Sequence, residues 1–216
     1  MSNVSIKHTD NEGISKKLSV LGPKFNDLIF VRKNVYEFMK EILPKIHTCD
    51  VLEIGPRTKD QDNGLSKTLQ PYLIYTKEIL ERQKNTYKTC DLDKNIGANY
   101  QFDVNELYDK VGQIFDVIIC CEVMEHTPEF WKLPETFYKL LRDKGKLFLT
   151  VPFYFMHHDP KPDYWRFTED GLEYLFAPYF NIRITKLLWQ HDDGQRAIHM
   201  TLVGTKMEFY NANDKY

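Results

Sequence analysis

The sequence has little that a membrane or secreted protein needs. No stretch is long and apolar enough to span a bilayer, and Met1–His8 lacks the apolar core of a signal peptide. The cysteines form no Cys-x-x-Cys pair, which is typical of small apolar residues in a reducing cytosol; they are Cys49, Cys90, Cys120 and Cys121. We therefore expect a cytoplasmic protein that makes no contact with a membrane.

An excess of one charge is also lacking. Lys and Arg total 29 against 31 Asp and Glu, so the formal net charge is -2 and gives no electrostatic footprint for nucleic acid. The chain has 216 residues, of which 42% are apolar, and this is enough for one substantial core. We predict an N-terminal arm over residues 1–25 and a single domain over residues 26–216.

The hydrophobic pattern alternates between helices and short buried strands. The predicted helices are 26–43, 65–75, 134–142 and 169–176, and the predicted strands are 50–54, 87–92, 100–104, 114–121, 146–151, 181–190 and 196–206. This alternation favours an α/β fold, in which a mostly parallel sheet of seven strands has helices on both faces. The loop 191–194 predicts a hairpin, so the C-terminal strand should run antiparallel to its neighbour.

Acidic residues stand at or just after the ends of three predicted strands. Glu53, Asp91 and Glu122 should meet at the carboxyl edge of the sheet, where open α/β sheets bind their ligands. A crevice lined by carboxylates suits a ligand with hydroxyls, amines and positive charge, and it suits a phosphate badly.

The order of these features is similar to that of a known enzyme family. The motif positions are occupied by the strand 51–55, Asp91, Asp103 and Cys121–His126. Over about residues 26–206 the chain resembles the class I S-adenosylmethionine-dependent methyltransferases, in the branch often called type 11. The loop 152–171 is similar to one in small methyltransferases of polysaccharide and glycan gene clusters. The resemblance implies a Rossmann-like, doubly wound sheet and S-adenosylmethionine as the cofactor, with S-adenosylhomocysteine as its product.

The first loop departs from the family pattern. The family usually has Gly-x-Gly-x-Gly, whereas Gly55 is followed here by Pro56, Arg57 and Thr58. A dinucleotide enzyme needs the second glycine so that its backbone can approach a pyrophosphate, but a sulfonium amino acid has no phosphate. The departure argues against a nicotinamide enzyme, and it leaves open a catalytically inert, methyltransferase-like interaction subunit.

The resemblance assigns cofactor-binding roles to residues at the strand ends. Asp91 would accept hydrogen bonds from the ribose hydroxyls, with Asp93 as a rival, and Leu92 would cover one adenine face. Asp103 would accept from the adenine amino group beside the Val104 N–H, although an Asx turn that starts the next helix is the alternative for Asp103. The other predicted cofactor-binding residues are Glu53, near the methionine portion, and Gly55, Pro56, Cys121 and Glu122.

A histidine is the expected base, because an acceptor hydroxyl must lose a proton during methyl transfer. His158, in the loop after the fifth of the predicted strands that line the crevice, is the first candidate, and His126 and His157 are the others. The alternatives are a solvated loop histidine for His158 and a packing role at a helix N-terminus for His126. Residues 157–159 could hold a divalent metal, but adjacent histidines rarely face one ion and the spacing fixes no third ligand, so we expect no metal.

Aromatic residues and an arginine form the expected acceptor side. The predicted acceptor-binding residues are Tyr154, Asp163, Tyr164, Trp165 and Arg166. Aromatic faces stack on sugars and arginine makes forked contacts to phosphate; the structural alternative has Trp165 anchoring the loop and Arg166 paired with a carboxylate. We expect O-methylation of a small molecule, a sugar or nucleotide-linked sugar, with N- or C-methylation of another metabolite as the alternative. A homo-oligomer is compatible with this prediction.

Overall fold

The computed structural model describes residues 25–59, 70–191 and 194–208. The strands are β1 (Asp50–Ile54), β2 (Thr86–Cys90), β3 (Phe115–Cys121), β4 (Leu141–Pro152), β5 (Phe180–His191) and β6 (Gly194–Lys206), and the α-helices are α1 (Phe25–Ile42), α2 (Thr76–Arg82), α3 (Leu107–Val111), α4 (Leu133–Leu140) and α5 (Glu169–Phe176). Within this part of the chain, the six strands form one sheet in the order β2-β1-β3-β4-β6-β5.

The sheet is parallel except at one strand. β1 pairs in parallel with β2 and β3, and β3 pairs in parallel with β4. β6 runs antiparallel to both β4 and β5, because β5 returns directly into β6 as a hairpin. The predicted α/β sheet with an antiparallel C-terminal hairpin is therefore confirmed.

Helices cover both faces of the sheet. Alternate residues of β3 point to opposite sides: Ile118 and Cys120 pack with residues of α3, α4 and α5, whereas Val117 and Ile119 pack with α1 and α2. Burial on both faces is what makes β3 continuously apolar from Val117 to Cys121.

The prediction of seven strands is wrong, because residues 100–104 do not form a strand. Tyr100 makes an isolated parallel bridge to Cys90. Three residues later the Asp103 side chain accepts the Asn105 N–H and begins a 3-10 turn. The segment is turned away before a second pair of ladder hydrogen bonds can form.

Some predicted boundaries also differ. α4 ends at Leu140 because Leu141 is extended and begins β4. Of the predicted helix 65–75, residues 65–69 lie outside the described residues and 70–72 form a single 3-10 turn. The helix α2 is not among the sequence-based predictions. Of the predicted arm 1–25, only the last residue is described, as the start of α1.

The carboxyl ends of β1, β2, β3 and β4 lie at the same edge of the sheet. The segments that follow them, 55–59, 91–93, 122–127 and 153–168, carry most of the predicted site residues. No described helix is long and apolar enough to cross a membrane.

Candidate functional site

The turn after β1 requires a glycine. Gly55 has φ +68°, and a Cβ added there would lie 2.5 Å from Cγ2 of Val123, in the segment that leaves β3. The Gly55 N–H donates to the Cys90 carbonyl at 2.9 Å, and Pro56 is buried directly after it. The exits of three neighbouring strands are thus packed together at Gly55.

The Glu53 carboxylate is buried beneath this turn and is already partnered. Its Oε2 accepts hydrogen bonds from the Thr76 and Tyr87 hydroxyls, at the start of α2 and in β2. Burial raises the pKa of Glu53 to about 6, although the two hydroxyl hydrogen bonds act in the opposite direction. In the structure the Glu53 carboxylate is therefore paired with two hydroxyls of the chain. Its proximity to a cofactor stays a prediction.

The turn after β2 separates the two rival aspartates. Asp91 is half-buried and accepts the Asp93 N–H at 2.8 Å, and burial raises the pKa of its carboxyl. The Asp93 carboxylate instead accepts from both the N–H and the side-chain amide of Asn95, so it caps a local turn. Between them Leu92 has 66% of its surface exposed, as a residue that covers a ligand would be before the ligand binds.

Asp103 shows the Asx-turn geometry. Its Oδ1 accepts the Asn105 N–H at 2.8 Å, and Val104 after it is buried in the core. An Asx turn uses one carboxylate oxygen for the backbone and does not by itself decide whether the residue also binds adenine. That binding role stays a prediction.

The exit of β3 carries a buried network that sequence reasoning missed. Glu122, at φ +56°, accepts hydrogen bonds from Thr150 at 2.8 Å and from Nε2 of His199 at 2.7 Å. The Asn34 amide nitrogen lies 2.6 Å from Nδ1 of His199. Since an amide nitrogen can only donate, Nδ1 accepts and Nε2 carries the proton given to Glu122.

This network fixes the charge of Glu122. Burial acts to raise the pKa of its carboxyl, but His199 and the Thr150 hydroxyl outweigh burial and lower it. The signal for His199 was a histidine inside the run 197–203, in which Thr201 is the only other polar residue. A left-handed backbone at a residue other than glycine costs energy and is often found at functional turns. Beside it, Cys121 Sγ contacts Met39 Sδ at 3.9 Å.

Three further side chains meet at the exits of β3 and β4: Glu125, His126 and His158, which we call the histidine cluster. One ligand atom from each lies within 4.8 Å of the other two. The rings of His126 and His158 are edge to face, with centroids 5.1 Å apart. Burial lowers the pKa of His126, whereas burial and the charge of Glu122 raise the pKa of Glu125 well above its ordinary range. Sequence analysis proposed the two histidines separately and gave Glu125 no role.

Backbone hydrogen bonds hold the long loop after β4 against the exit of β3. The N–H groups of Tyr164 and Trp165 both donate to the Glu125 carbonyl, at 2.7 and 3.2 Å. The Trp165 indole donates to the Thr127 carbonyl at 3.1 Å, and its ring packs on Phe130 with centroids 5.0 Å apart. The loop is therefore fixed relative to the histidine cluster.

An ion pair closes the loop on itself. The Arg166 guanidinium binds both carboxylate oxygens of Asp163, at 2.6 and 2.7 Å, and donates to the Met156 carbonyl at 2.8 Å. Burial acts to raise the pKa of Asp163, but Arg166 and the His158 N–H hold it well below its usual range. Arg166 and Trp165 therefore have the structural roles weighed above, while their contact with an acceptor stays a prediction.

The remaining predicted residues lie at the rim. Tyr164 is 48% exposed, Tyr154 is half-buried, and His157 is exposed. The structure thus brings His126 and His158 together and leaves His157 facing solvent.

Comparison with known proteins identifies the family of this chain. Residues 8–191 match the model of a family described as a methyltransferase domain, which is most of the chain. The chain belongs to this methyltransferase family. It is therefore an enzyme of that class, as the sequence predicts. Among curated proteins, none matches the sequence.

Solved structures share the fold of this methyltransferase at low sequence identity. A SAM-dependent methyltransferase from Archaeoglobus fulgidus superposes with a TM-score of 0.60 at 12% identity, covering 81% of this chain and 94% of that one. The N-methyltransferase NodS from Bradyrhizobium japonicum, in complex with S-adenosylhomocysteine, gives 0.51 at 12% identity, covering 80% and 85%. TehB from Haemophilus influenzae gives 0.50 at 14% identity, covering 78% of this chain but only 61% of TehB.

Proposed function

We propose that this methyltransferase uses S-adenosylmethionine to methylate an oxygen of a small molecule, a sugar or nucleotide-linked sugar. The observation that supports oxygen is the histidine cluster. It places two imidazoles and a carboxyl at the carboxyl edge of the sheet, beside the segments expected to bind the cofactor. A hydroxyl acceptor needs such a proton acceptor, whereas a neutral amine does not.

The residues at the exits of β1 and β2 fit the cofactor. Asp91 offers a carboxylate to a ribose diol, and the exposed Leu92 offers an apolar surface to adenine. Asp103 and the Val104 N–H would bind the adenine edge. The other residues that would surround the methionine portion are Glu53, Gly55, Pro56, Cys121 and Glu122. S-adenosylmethionine supplies an electrophilic methyl group on a sulfonium.

His158 is the proposed base. Its Nδ1 lies 3.0 Å from the Asp159 carbonyl, which can only accept, so Nδ1 is protonated and Nε2 keeps a lone pair. The acceptor oxygen forms a bond to the methyl carbon as the carbon–sulfur bond breaks and its electron pair stays on sulfur. The hydroxyl proton moves to Nε2 of His158, which leaves a neutral ether and an imidazolium.

The surroundings favour a small acceptor over a polymer of nucleotides. The net charge of -2 gives no general attraction to nucleic acid. Tyr154, Tyr164 and Trp165 belong to the same loop as His158, and aromatic faces of this kind stack on sugar rings. Arg166 would bind a phosphate of the acceptor only through the N–H groups that Asp163 leaves accessible.

The catalytic domain is proposed to begin at residue 26.

A transfer assay tests this proposal. The protein is incubated with methyl-labelled S-adenosylmethionine and a panel of nucleotide-sugars, free sugars, amino sugars, tRNA and a protein mixture. We expect label in a nucleotide-sugar or sugar, at a hydroxyl located by mass spectrometry. Label on an amino group would reject the oxygen assignment, and label on tRNA or protein alone would reject the small acceptor.

A further inference from the structure

Glu125 is a buried carboxyl with no partner. Its side chain is fully buried, and both carboxylate oxygens lack a hydrogen-bond partner among the described residues. The backbone carbonyl of Glu125 is satisfied twice by the loop, so the orphaned group is the side chain alone. Buried carboxylates are usually paired with donors or with a cation, because an unpaired one is costly.

The two histidines present lone pairs to the same place. Nδ1 of His126 lies 2.8 Å from the Pro162 carbonyl, and Nδ1 of His158 lies 3.0 Å from the Asp159 carbonyl. Both Nδ1 atoms must donate, so in the neutral rings both Nε2 atoms are unprotonated acceptors. Nε2 of His158 is buried and has no hydrogen-bond partner among the described residues, and Oδ2 of Asp163 lies 4.0 Å from it. A histidine that donates one ring N–H to a backbone carbonyl is oriented as metal-binding histidines are.

The distances suit a single small ion. Nε2 of His126 lies 3.7 Å from Oε1 of Glu125, and all three ligand atoms are within 4.8 Å of each other. Ligands about 2.0–2.2 Å from a tetrahedral ion are roughly 3.4 Å apart. We propose that Glu125, His126 and His158 form a binding site for one divalent transition-metal ion. To bind one ion, the three ligand atoms would have to approach one another by at most about 1.4 Å, from 4.8 Å to roughly 3.4 Å.

The donor set selects the class of ion. Two imidazole nitrogens and one carboxylate form the His₂Glu set of zinc enzymes, which leaves a fourth position open, and calcium or magnesium would prefer oxygen ligands throughout. The nearby charges also favour a cation. The carboxylates of Glu122, Glu125 and Asp163 outnumber the two guanidinium groups that interact with them, that of Arg166 and that of Arg32 near Glu122. We assign the site to Zn²⁺ or an ion of similar softness.

An ion here changes how the acceptor hydroxyl loses its proton. With an ion bound, Nε2 of His158 would be a ligand, the ion would lower the pKa of a hydroxyl at its open position, and the proton would leave to solvent water; in the metal-free protein His158 is the base. The binding of the ion is measured without acceptor or methyl donor, so its outcome is independent of the proposed reaction.

Direct metal titration tests the site. The full chain is stripped with a chelator and titrated with Zn²⁺ in competition with a chromogenic chelator, and separately with Co²⁺ under visible spectroscopy. We expect one ion per chain and cobalt d–d bands of a four- or five-coordinate N,O site. Glu125→Gln, His126→Ala and His158→Ala should each weaken binding by at least about 100-fold.

His157→Ala is the matched control, because its ring is adjacent in sequence but exposed, and it should bind Zn²⁺ with unchanged affinity. Binding that survives all three ligand variants, or a sulfur-to-cobalt charge-transfer band, would place the ion elsewhere and overturn the proposal. Absence of stoichiometric binding overturns it as well. If a histidine variant does not fold, Glu125→Gln decides, since it keeps the shape of the side chain and should leave the apo-protein at least as heat-stable as the wild type.

Discussion

The ionisable groups on two sides of the same crevice differ in how completely they are hydrogen-bonded. At the exits of β1 and β2, the carboxylates of Glu53, Asp91 and Asp103 already accept hydrogen bonds from the chain itself. At the exits of β3 and β4, the carboxyl of Glu125 and Nε2 of His158 have no partner among the described residues. The three carboxylates of the first side are thus satisfied within the chain, whereas Glu125 and His158 on the second side keep polar atoms available for a ligand.

The difference follows from where the partners come from. Asp91 and Asp103 are satisfied by N–H groups two residues ahead, as Asx turns, and such contacts form whenever the loop forms. The histidine cluster joins His126 to a loop whose Pro162 carbonyl is 36 residues away. Groups of this kind are held in place by the fold and stay available for chemistry. Unsatisfied polar groups in an enzyme are expected at such functional sites.

Replacing the proposed base, His158, should give the largest effect on turnover. A small effect would contradict the difference drawn between the two sides of the crevice. His158→Ala should lower kcat by about 10²–10⁴-fold, the usual contribution of a positioned general base. The affinity for S-adenosylhomocysteine should be unchanged, because the β1 and β2 side is untouched. Turnover with saturating cofactor and calorimetry on the same preparation measure both quantities. Full turnover in His158→Ala together with none in His126→Ala would move the base to the exit of β3.

The next effect tests whether the β4 loop depends on its ion pair. Arg166→Ala leaves the fully buried Asp163 carboxylate without its guanidinium, so the free energy of unfolding should fall by about 3 kcal/mol. Urea unfolding measures it.

Asp163→Asn and the double variant complete a cycle for this ion pair. We expect the double variant to be less destabilised than the sum of the two single variants, because the second change removes a charge that the first left unpaired. Strict additivity would show that the two side chains do not stabilise the loop as a pair.

A smaller effect separates the rival aspartates of the β1 and β2 side. Asp91→Ala should weaken the binding of S-adenosylhomocysteine by roughly 1.5–3 kcal/mol, or about 10- to 100-fold, through the loss of charge-assisted hydrogen bonds. Asp93→Ala is the control: its carboxylate caps a turn through Asn95 and should leave the affinity within about threefold. Calorimetry decides, and the reverse ranking would make Asp93 the ribose ligand.

The sequence predicts the fold well where the signal is local. The apolar run of β3 and the hairpin between β5 and β6 are properties of a few consecutive residues, and both elements are confirmed. The third predicted strand failed because strand propensity does not show that the turn at Asp103 directs the segment away from its neighbour. Tyr100 found one bridge partner in Cys90 and no more.

Site residues, like elements of the fold, are predictable from the sequence where their signal is local. Candidates such as Asp91 and His158 were found because they stand at a fixed distance from a strand end. The Glu122 network was missed because Asn34 and His199 are 165 residues apart in sequence, and no spacing pattern links them. Glu125 was missed because its signal is the absence of partners, which only the folded chain displays.

The smallest effect sharpens the comparison by asking what burial costs on the β1 and β2 side. The pKa of Glu53 is about 6 in the folded chain against an ordinary value of 4.5, so folding favours its protonated form. Its contribution to stability is therefore fully present below pH 4.5 and is lost as the pH rises through 6. A difference of 1.5 pKa units corresponds to about 2 kcal/mol.

Glu53→Gln keeps an oxygen for the Thr76 and Tyr87 hydroxyls but has nothing to ionise. Measured by urea unfolding, the stability of the variant relative to the wild type should rise by about 2 kcal/mol between pH 4 and pH 7.5. Tyr87→Phe should show the opposite sign, because it removes a donor from the ionised carboxylate and raises its pKa further. A relative stability that does not change with pH would mean that Glu53 is as well stabilised in its charged form as in water, and that the two sides of the crevice differ even more than their hydrogen bonds indicate.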